Sequence, residues 1–187
     1  MKDIALTGLA RSGKDSVAAR LVEHHGYVRV AFADKLKEAA LKVDPMIPFP
    51  RYSGQEQHHM RLSAVVATYG WERAKDLFPE VRRFLQCYGQ TVREMYSEFW
   101  ITAARPAIRE AWGSGRPVVV TDVRYANEAD FLRNRLDFGL VRITRPGQTP
   151  GDHISEREML GYQEDRTIVN GGSLEALAAL ADLLVTG

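Results

Sequence analysis

The chain has 187 residues, of which 45% are hydrophobic and 26% charged, with a formal net charge of +1 at pH 7. This is enough for one domain, or one domain with a sizeable insertion, and it excludes a disordered chain and any general electrostatic pull toward nucleic acid or membrane. Cys87 is the lone cysteine, which excludes a disulfide framework and a thiolate metal site and fits a reducing, cytoplasmic setting.

Met1-Lys2-Asp3 runs straight into the apolar Ile4-Ala5-Leu6, a short buried strand, so no secretory leader is expected. The segment Gly8-Leu9-Ala10-Arg11-Ser12-Gly13-Lys14-Asp15-Ser16 follows. Val17, Ala18, Leu21 and Val22 then recur at helical spacing until Gly26. Tyr27 to Phe32 reads as a second strand, and Asp34 as the cap of a helix carrying Leu36, Ala39, Ala40 and Val43. The proline-rich run Asp44 to Pro50 reads as a loop. From Met60 to Trp112 the pattern is helical, with breaks expected at Gly70, Pro79 and Gly89 and a kink or restart at Pro106.

Strand character returns over Arg116 to Thr121, helix over Asn127 to Asp137, and strands over Leu140 to Thr144 and Thr167 to Val169. A last helix, Ser173 to Val185, is capped by Ser173. No apolar stretch is long enough to cross a bilayer. Strands alternating with helices predict a parallel sheet in a three-layer α/β fold. The helical middle, about residues 34–115, is too long for a crossover and is expected to be an inserted lobe.

The glycine-rich segment between strand and helix has the form of a phosphate cradle. Its glycines let successive N–H groups point inward at the positive end of a helix, and Lys14 can reach phosphate oxygens as a mobile charge. Asp15 stands where the common pattern has Ser or Thr. A carboxylate is an equally hard oxygen ligand, so Asp15 is a candidate Mg²⁺ ligand, with the Ser16 hydroxyl one position later.

Val118-Val119-Val120-Thr121-Asp122 ends an apolar strand in a second carboxylate. Arg124 follows at a spacing that places it on the same side of an extended segment. An acid and a guanidinium aimed at a phosphate site suit phosphoryl transfer, whereas a plain surface salt bridge there would be worth little. Gly8, Asp34 and Asp122 are expected to converge at the carboxyl ends of the strands.

Several blocks, in order, resemble the bacteriophage-type deoxynucleoside monophosphate kinases. They are Gly13-Lys14-Asp15-Ser16, Phe32 to Lys37, Arg83 to Gly89 running to Phe99-Trp100, Asp122 to Glu128, Arg145-Pro146-Gly147, His153 to Glu156 and Ile168 to Ser173. The resemblance implies an adenylate-kinase-like P-loop fold with an acceptor-binding helical lobe and a small lid at about 146–165. It implies MgATP on the loop and a deoxynucleoside monophosphate under the lobe, in a cytoplasm that is the host's if the chain is viral.

On that resemblance, Gly8, Arg11, Ser12, Gly13, Lys14, Asp15 and Ser16 bind ATP, with Asn170 and Gly171 near the adenine. Lys14 and Arg124 meet the transferring and acceptor phosphates, and Asp15, Ser16 and Asp122 serve Mg²⁺. Asp34, Lys37, Arg83, Gln86 and Arg93 are candidate acceptor contacts, and Arg145, His153 and Arg157 candidate lid residues. Read from the residues alone, Lys37, Arg83 and Arg93 are equally solvated helix charges, Trp100 is core, and His24-His25 and His58-His59 are surface pairs. His153 divides evenly between lid and local cap.

Other readings keep the same fold with another acceptor, such as dephospho-coenzyme A or phosphomevalonate, or an ATP-binding switch without transfer. A nucleic-acid-stimulated ATPase lacks the basic, aromatic-interleaved stripe it needs. An apolar helix face between Met60 and Tyr88 is expected to be exposed and able to support a homodimer.

Overall fold

The computed structural model describes residues 2–49 and 58–186. They form β1 (Ile4–Thr7), α1 (Lys14–His25), β2 (Val28–Val30), α2 (Phe32–Val43), β3 (Met46–Pro48), β4 (His59–Arg61), α3 (Leu62–Leu77), α4 (Pro79–Met95) and α5 (Phe99–Gly113). There follow β5 (Val118–Val123), α6 (Ala126–Asp130) continuing as a π-helical turn (Phe131–Arg135), β6 (Gly139–Thr144), α7 (Ile154–Arg157) with a 3₁₀ turn (Glu158–Gly161), β7 (Arg166–Val169) and α8 (Leu174–Thr186). The chain divides into two compact units, Met1–Phe32 with Trp100–Gly187, and Ala33–Phe99.

The first unit is built on a five-stranded sheet in the order β2-β5-β1-β6-β7, parallel at every pair. β1 is fully buried and so is most of β5, so both faces of these strands need covering. On one face, Val17, Ala18 and Leu21 of α1 and Leu177 and Ala181 of α8 pack with Ile4, Leu6, Val119, Val141 and Ile143. Side chains alternate along a strand, which leaves Ala5, Val118 and Val120 for the opposite face. The buried stripe Trp100, Ile101, Ala104, Ile108 and Ala111 makes α5 a core helix of this unit.

α1 and α8 are further tied by Asp182, which accepts from Arg20 Nε and Nη2 at 2.8 and 2.9 Å and lies 2.7 Å from His25 Nε2. The Arg20 guanidinium, and then the His25 ring, hold the Asp182 carboxyl well below the usual carboxylate range. His25 is therefore half of a tertiary contact rather than a surface histidine.

The connection from β1 runs one way, to β2, and that from its neighbour β5 runs the other way, to β6. The switch point of the sheet thus lies between β1 and β5, and the crevice at their carboxyl ends is where such sheets place ligands. β5 carries one extra residue against β1: Ala5 pairs with Val120, but Thr7 pairs with Val123. Thr7 Oγ1 donates to the Val123 carbonyl at 2.9 Å and pins the bulge.

The second unit has its own core, in which Ala40, Ile47, Leu62, Val65, Ala74, Phe78, Val81 and Leu85 are buried. Met60, Val66, Tyr69, Trp71, Phe84 and Tyr88 pack against it. The apolar face expected to be exposed over Met60–Tyr88 is therefore largely spent inside this unit.

Four local expectations are corrected. Met46–Pro48 is a strand paired with His59–Arg61, not a loop, because proline is tolerated in a two-stranded edge pair; Pro50 lies outside the described residues. Gly70 does break α3 (φ 70°, ψ 163°), but Gly89 lies inside α4, where a Cβ would come 3.1 Å from Leu36 Cδ2. Pro106 does not restart a helix, since α5 runs through it from Phe99 to Gly113. α2 begins at Phe32, so Asp34 belongs to its first turn and is not its cap.

Candidate active site

β1 ends at Thr7 and α1 starts at Lys14, which leaves Gly8 to Gly13 as a turn at the sheet's switch point. Gly8 has φ +139°, and a Cβ there would lie 2.1 Å from the Ile143 carbonyl oxygen. The loop thus leaves β1 in backbone contact with β6, an approach only glycine permits. Gly13 has φ +110°, and its missing Cβ makes room for the Asn170 amide, which donates to the Ser12 carbonyl at 2.8 Å. Asn170 is thereby held against the cradle, and Gly171 packs near Pro146. Arg11 takes a left-handed φ of 62° in the same turn. The Ser12 hydroxyl is buried in the loop and has no hydrogen-bond partner among the described residues.

Lys14 is only 9% exposed, and its Nζ donates to the carbonyls of Gly8 (2.9 Å) and Leu9 (2.7 Å). Burial lowers its pKa from the ordinary 10.5 to about 8, and Arg124 adds to the effect. The carboxylates of Asp15, Glu156 and Asp122 oppose it. The charges predicted to share a phosphate site thus lie within electrostatic range of one ammonium. Asp15 and Ser16 are exposed in the first turn of α1.

Asp122 and Arg124 meet different partners. One oxygen of Asp122 accepts the Phe32 N–H at 2.9 Å and so caps the start of α2. Arg124 Nη1 donates to Glu156 Oε1 at 3.0 Å. Glu128, 3% exposed, accepts the N–H groups of Arg124 (2.9 Å) and Tyr125 (3.2 Å) through Oε2, and Glu158 accepts the N–H of Ala126 at 2.8 Å. Side chains from two different segments thus fix the turn that carries Arg124.

A cleft of about 220 Å³ lies here, bounded by Gly8 and Leu9, by Arg124, and by Arg142, Arg145, Gln148 and Glu156. Gln148 Nε2 donates to the Ala10 carbonyl at 2.9 Å and joins the 145–161 segment to the cradle. Arg142 anchors the far end of that segment through the carbonyls of Met159 (2.8 Å) and Tyr162 (2.7 Å) and through Glu164 (2.9 Å). His153 caps α7 by accepting the Ser155 N–H, and Arg157 binds the Gly151 carbonyl and Asp152. Both are engaged locally and neither lines the cleft, whereas Arg145 does.

The remaining predicted residues belong to the helical unit. Asp34 is in the first turn of α2, and Lys37 holds its ammonium 5.7 Å from the centre of the Trp71 ring. On α4, Arg83 pairs with Glu80 at 2.6 Å and is 71% exposed, while Gln86 and Arg93 are half-buried. Trp100 is core.

Gln148 and Arg142 are absent from the sequence expectations, and Glu128 and Glu156 appear there only inside resemblance blocks, without a role. Glu128 carried a signal, since a glutamate three residues after the start of a helix is the spacing of a capping box. The other three act across long separations and left no local pattern. The oxygen donors Asp15, Ser16 and Asp122 have the hardness that Mg²⁺ requires. Among the described residues no cluster of three or more acidic, His or Cys side chains forms a cage. That donor set fits an ion shared with nucleotide phosphates, which needs only one or two carboxylates.

A family model for deoxynucleotide monophosphate kinases matches residues 73–180, more than half of the chain. Over 182 residues the chain is 27% identical to a protein of Acanthamoeba polyphaga mimivirus provisionally named a deoxynucleotide monophosphate kinase, covering 92% of this chain and 90% of that protein. Among solved structures it is similar to an unliganded sugar kinase from Janibacter sp. HTCC2649, with a TM-score of 0.54 at 11% identity, over 100% of this chain and 95% of that one. This last is a likeness of fold alone, an α/β architecture with a parallel sheet.

Two outcomes follow from the loop geometry. Gly8→Ala is expected to destabilise the protein by about 3 kcal/mol or more, or to prevent folding, since backbone and φ both oppose a Cβ; urea unfolding measures it. Lys14→Met removes a buried charge and is expected to raise Tm at pH 7. Below pH 8 the folded protein carries that charge at a cost. Between pH 8 and 10.5 the unfolded chain holds the extra proton, so wild-type stability rises with pH and the gap to Lys14→Met narrows. Melts of both proteins at pH 7 and 10 test the sign.

Proposed function

The chain belongs to the deoxynucleotide monophosphate kinase family, and from that premise we propose that it transfers the γ-phosphoryl group of ATP to a deoxynucleoside monophosphate. The observation that carries the reading is that Lys14, at the start of α1 after the loop leaving β1, and Arg124, just past the end of the adjacent strand β5, lie close enough for their charges to act on each other among shared carboxylates.

In this reading the cradle N–H groups and Lys14 bind the ATP phosphates, with Asn170 and Gly171 beside the adenine. The acceptor is already an anion, so no strong base is needed. Its phosphate oxygen attacks the γ-phosphorus in line, the bond to the ADP oxygen breaks, and Arg124 neutralises charge that develops on the migrating group. Arg145, on the cleft wall, is the lid arginine we assign to the polyphosphate; His153 and Arg157 are left with their local bonds. Asp15, Ser16 and Asp122 would hold Mg²⁺, which when bound supplies neutralisation of phosphate charge. Lys37, Arg83, Gln86, Arg93 and Asp34 are the proposed acceptor residues of the helical unit.

The test is ADP release with ATP and Mg²⁺, offering dTMP, dGMP, dCMP, dAMP, their ribose counterparts and dephospho-coenzyme A separately. Turnover with one or more deoxynucleotides is expected. Turnover only with the coenzyme precursor, or with no acceptor, overturns the reading. Arg124→Ala should lower kcat by about 10²-fold or more, with a smaller effect on KM; an unchanged kcat removes Arg124 from the transfer step. Asp15→Ser restores the commoner loop pattern and should retain activity with an altered Mg²⁺ dependence, read from a metal titration of the initial rate.

A further inference from the structure

The geometry points to Glu156 as the residue that sets phosphate affinity in this cleft, by competing with the incoming phosphate for Arg124; this rests on the role proposed for Arg124. Glu156 binds Arg124 through a single N–H···O contact of 3.0 Å rather than the paired fork that makes such bonds strongest. Its side chain is 14% exposed, and Arg124 is 39% exposed, so the pair is neither a screened surface bridge nor sealed in the core. Glu156 also raises the proton affinity of Lys14. It is therefore a fixed negative charge facing the two cations that a polyphosphate would seek.

A phosphate entering the cleft either takes the Arg124 guanidinium from Glu156 or lies beside a like charge, and both weaken its binding. Arg145 and Arg142 also line the cleft, and their charges are the same in wild type and in a Glu156 variant. Arg157, next in sequence, is engaged with Gly151 and Asp152, and the His153 and Ser155 side chains bond each other. Displacement is mechanically possible because α7 is a single short turn, Ile154–Arg157. The segment beyond it stays held by Arg142 at Met159 and Tyr162, and by Glu158 at Ala126. Exchange at Arg124 thus moves one turn of helix and leaves both flanks docked.

The probe is inorganic tripolyphosphate without metal, titrated calorimetrically into the full chain. Glu156→Gln should bind it about five- to tenfold more tightly than wild type. Glu156→Asp, which keeps the charge, should stay near wild type, and it keeps the question answerable should Glu156→Gln fold poorly. The gain from Glu156→Gln should shrink in an Arg124→Ala background. Equal or weaker binding by Glu156→Gln overturns the inference, because a merely structural glutamate would weaken the site when replaced. An undiminished gain without Arg124 also overturns it, by reducing the effect to bare repulsion. No tripolyphosphate binding by any variant overturns it too, together with the phosphate cradle. The affinity change without any transfer to deoxynucleotides supports it and removes the proposed function alone.

Discussion

Lys14 keeps its ammonium at 9% exposure where the central strand of a parallel sheet ends. A charge so placed must be surrounded by oxygen, and much of the local architecture serves that end. The Gly8 and Leu9 carbonyls reach Nζ because the loop turns back on itself through positive φ values at Gly8, Arg11 and Gly13. That turn in turn requires Gly8 to touch the backbone of β6. Arg124 adds a second cation, so Asp15, Asp122 and Glu156 have to answer both charges. A site poised this way lowers the proton affinity of its lysine, and negative charge from a ligand would raise it again.

Around this centre, the sheet unit uses glutamates and arginines as backbone clamps. Glu128 and Glu158 hold the consecutive amides of Arg124, Tyr125 and Ala126, and Arg142 holds the carbonyls of Met159 and Tyr162. Charged side chains bonded to backbone groups fix loops more firmly than exposed ion pairs do, because they satisfy polar groups that would otherwise be stranded. The result is that Arg124, a loop residue, has its position set by a helix and by a second segment.

The parts of this arrangement legible in the sequence are those governed by near neighbours. Glycine spacing, the lysine at a helix start and the apolar strands are all local physics, and the cradle was readable from them. Asp122 was legible as a strand-end acid, but its bond to the Phe32 N–H spans 90 positions of sequence. The start of α2 was consequently misread, since the cap it needed came from β5 instead of its own segment. Gly89 was misread for a related reason: glycine normally weakens a helix, and only the Leu36 side chain packed against it shows why it is there. Glu156 and Gln148 carry no local pattern at all, and only folding brings them to the cradle.

The extra residue in β5 is a small irregularity at the end of the strand that leads to Arg124. Along an extended strand, residues two apart such as Asp122 and Arg124 face the same side. The bulge shifts the register before Thr7 meets Val123, and the chain leaves the sheet immediately afterwards. Asp122 then turns to the Phe32 N–H, while Arg124 is released to Glu156. The acid and the guanidinium both stay in the field of Lys14. The cost is one irregular pair in a parallel ladder, set where β5 ends beside the loop between β1 and α1.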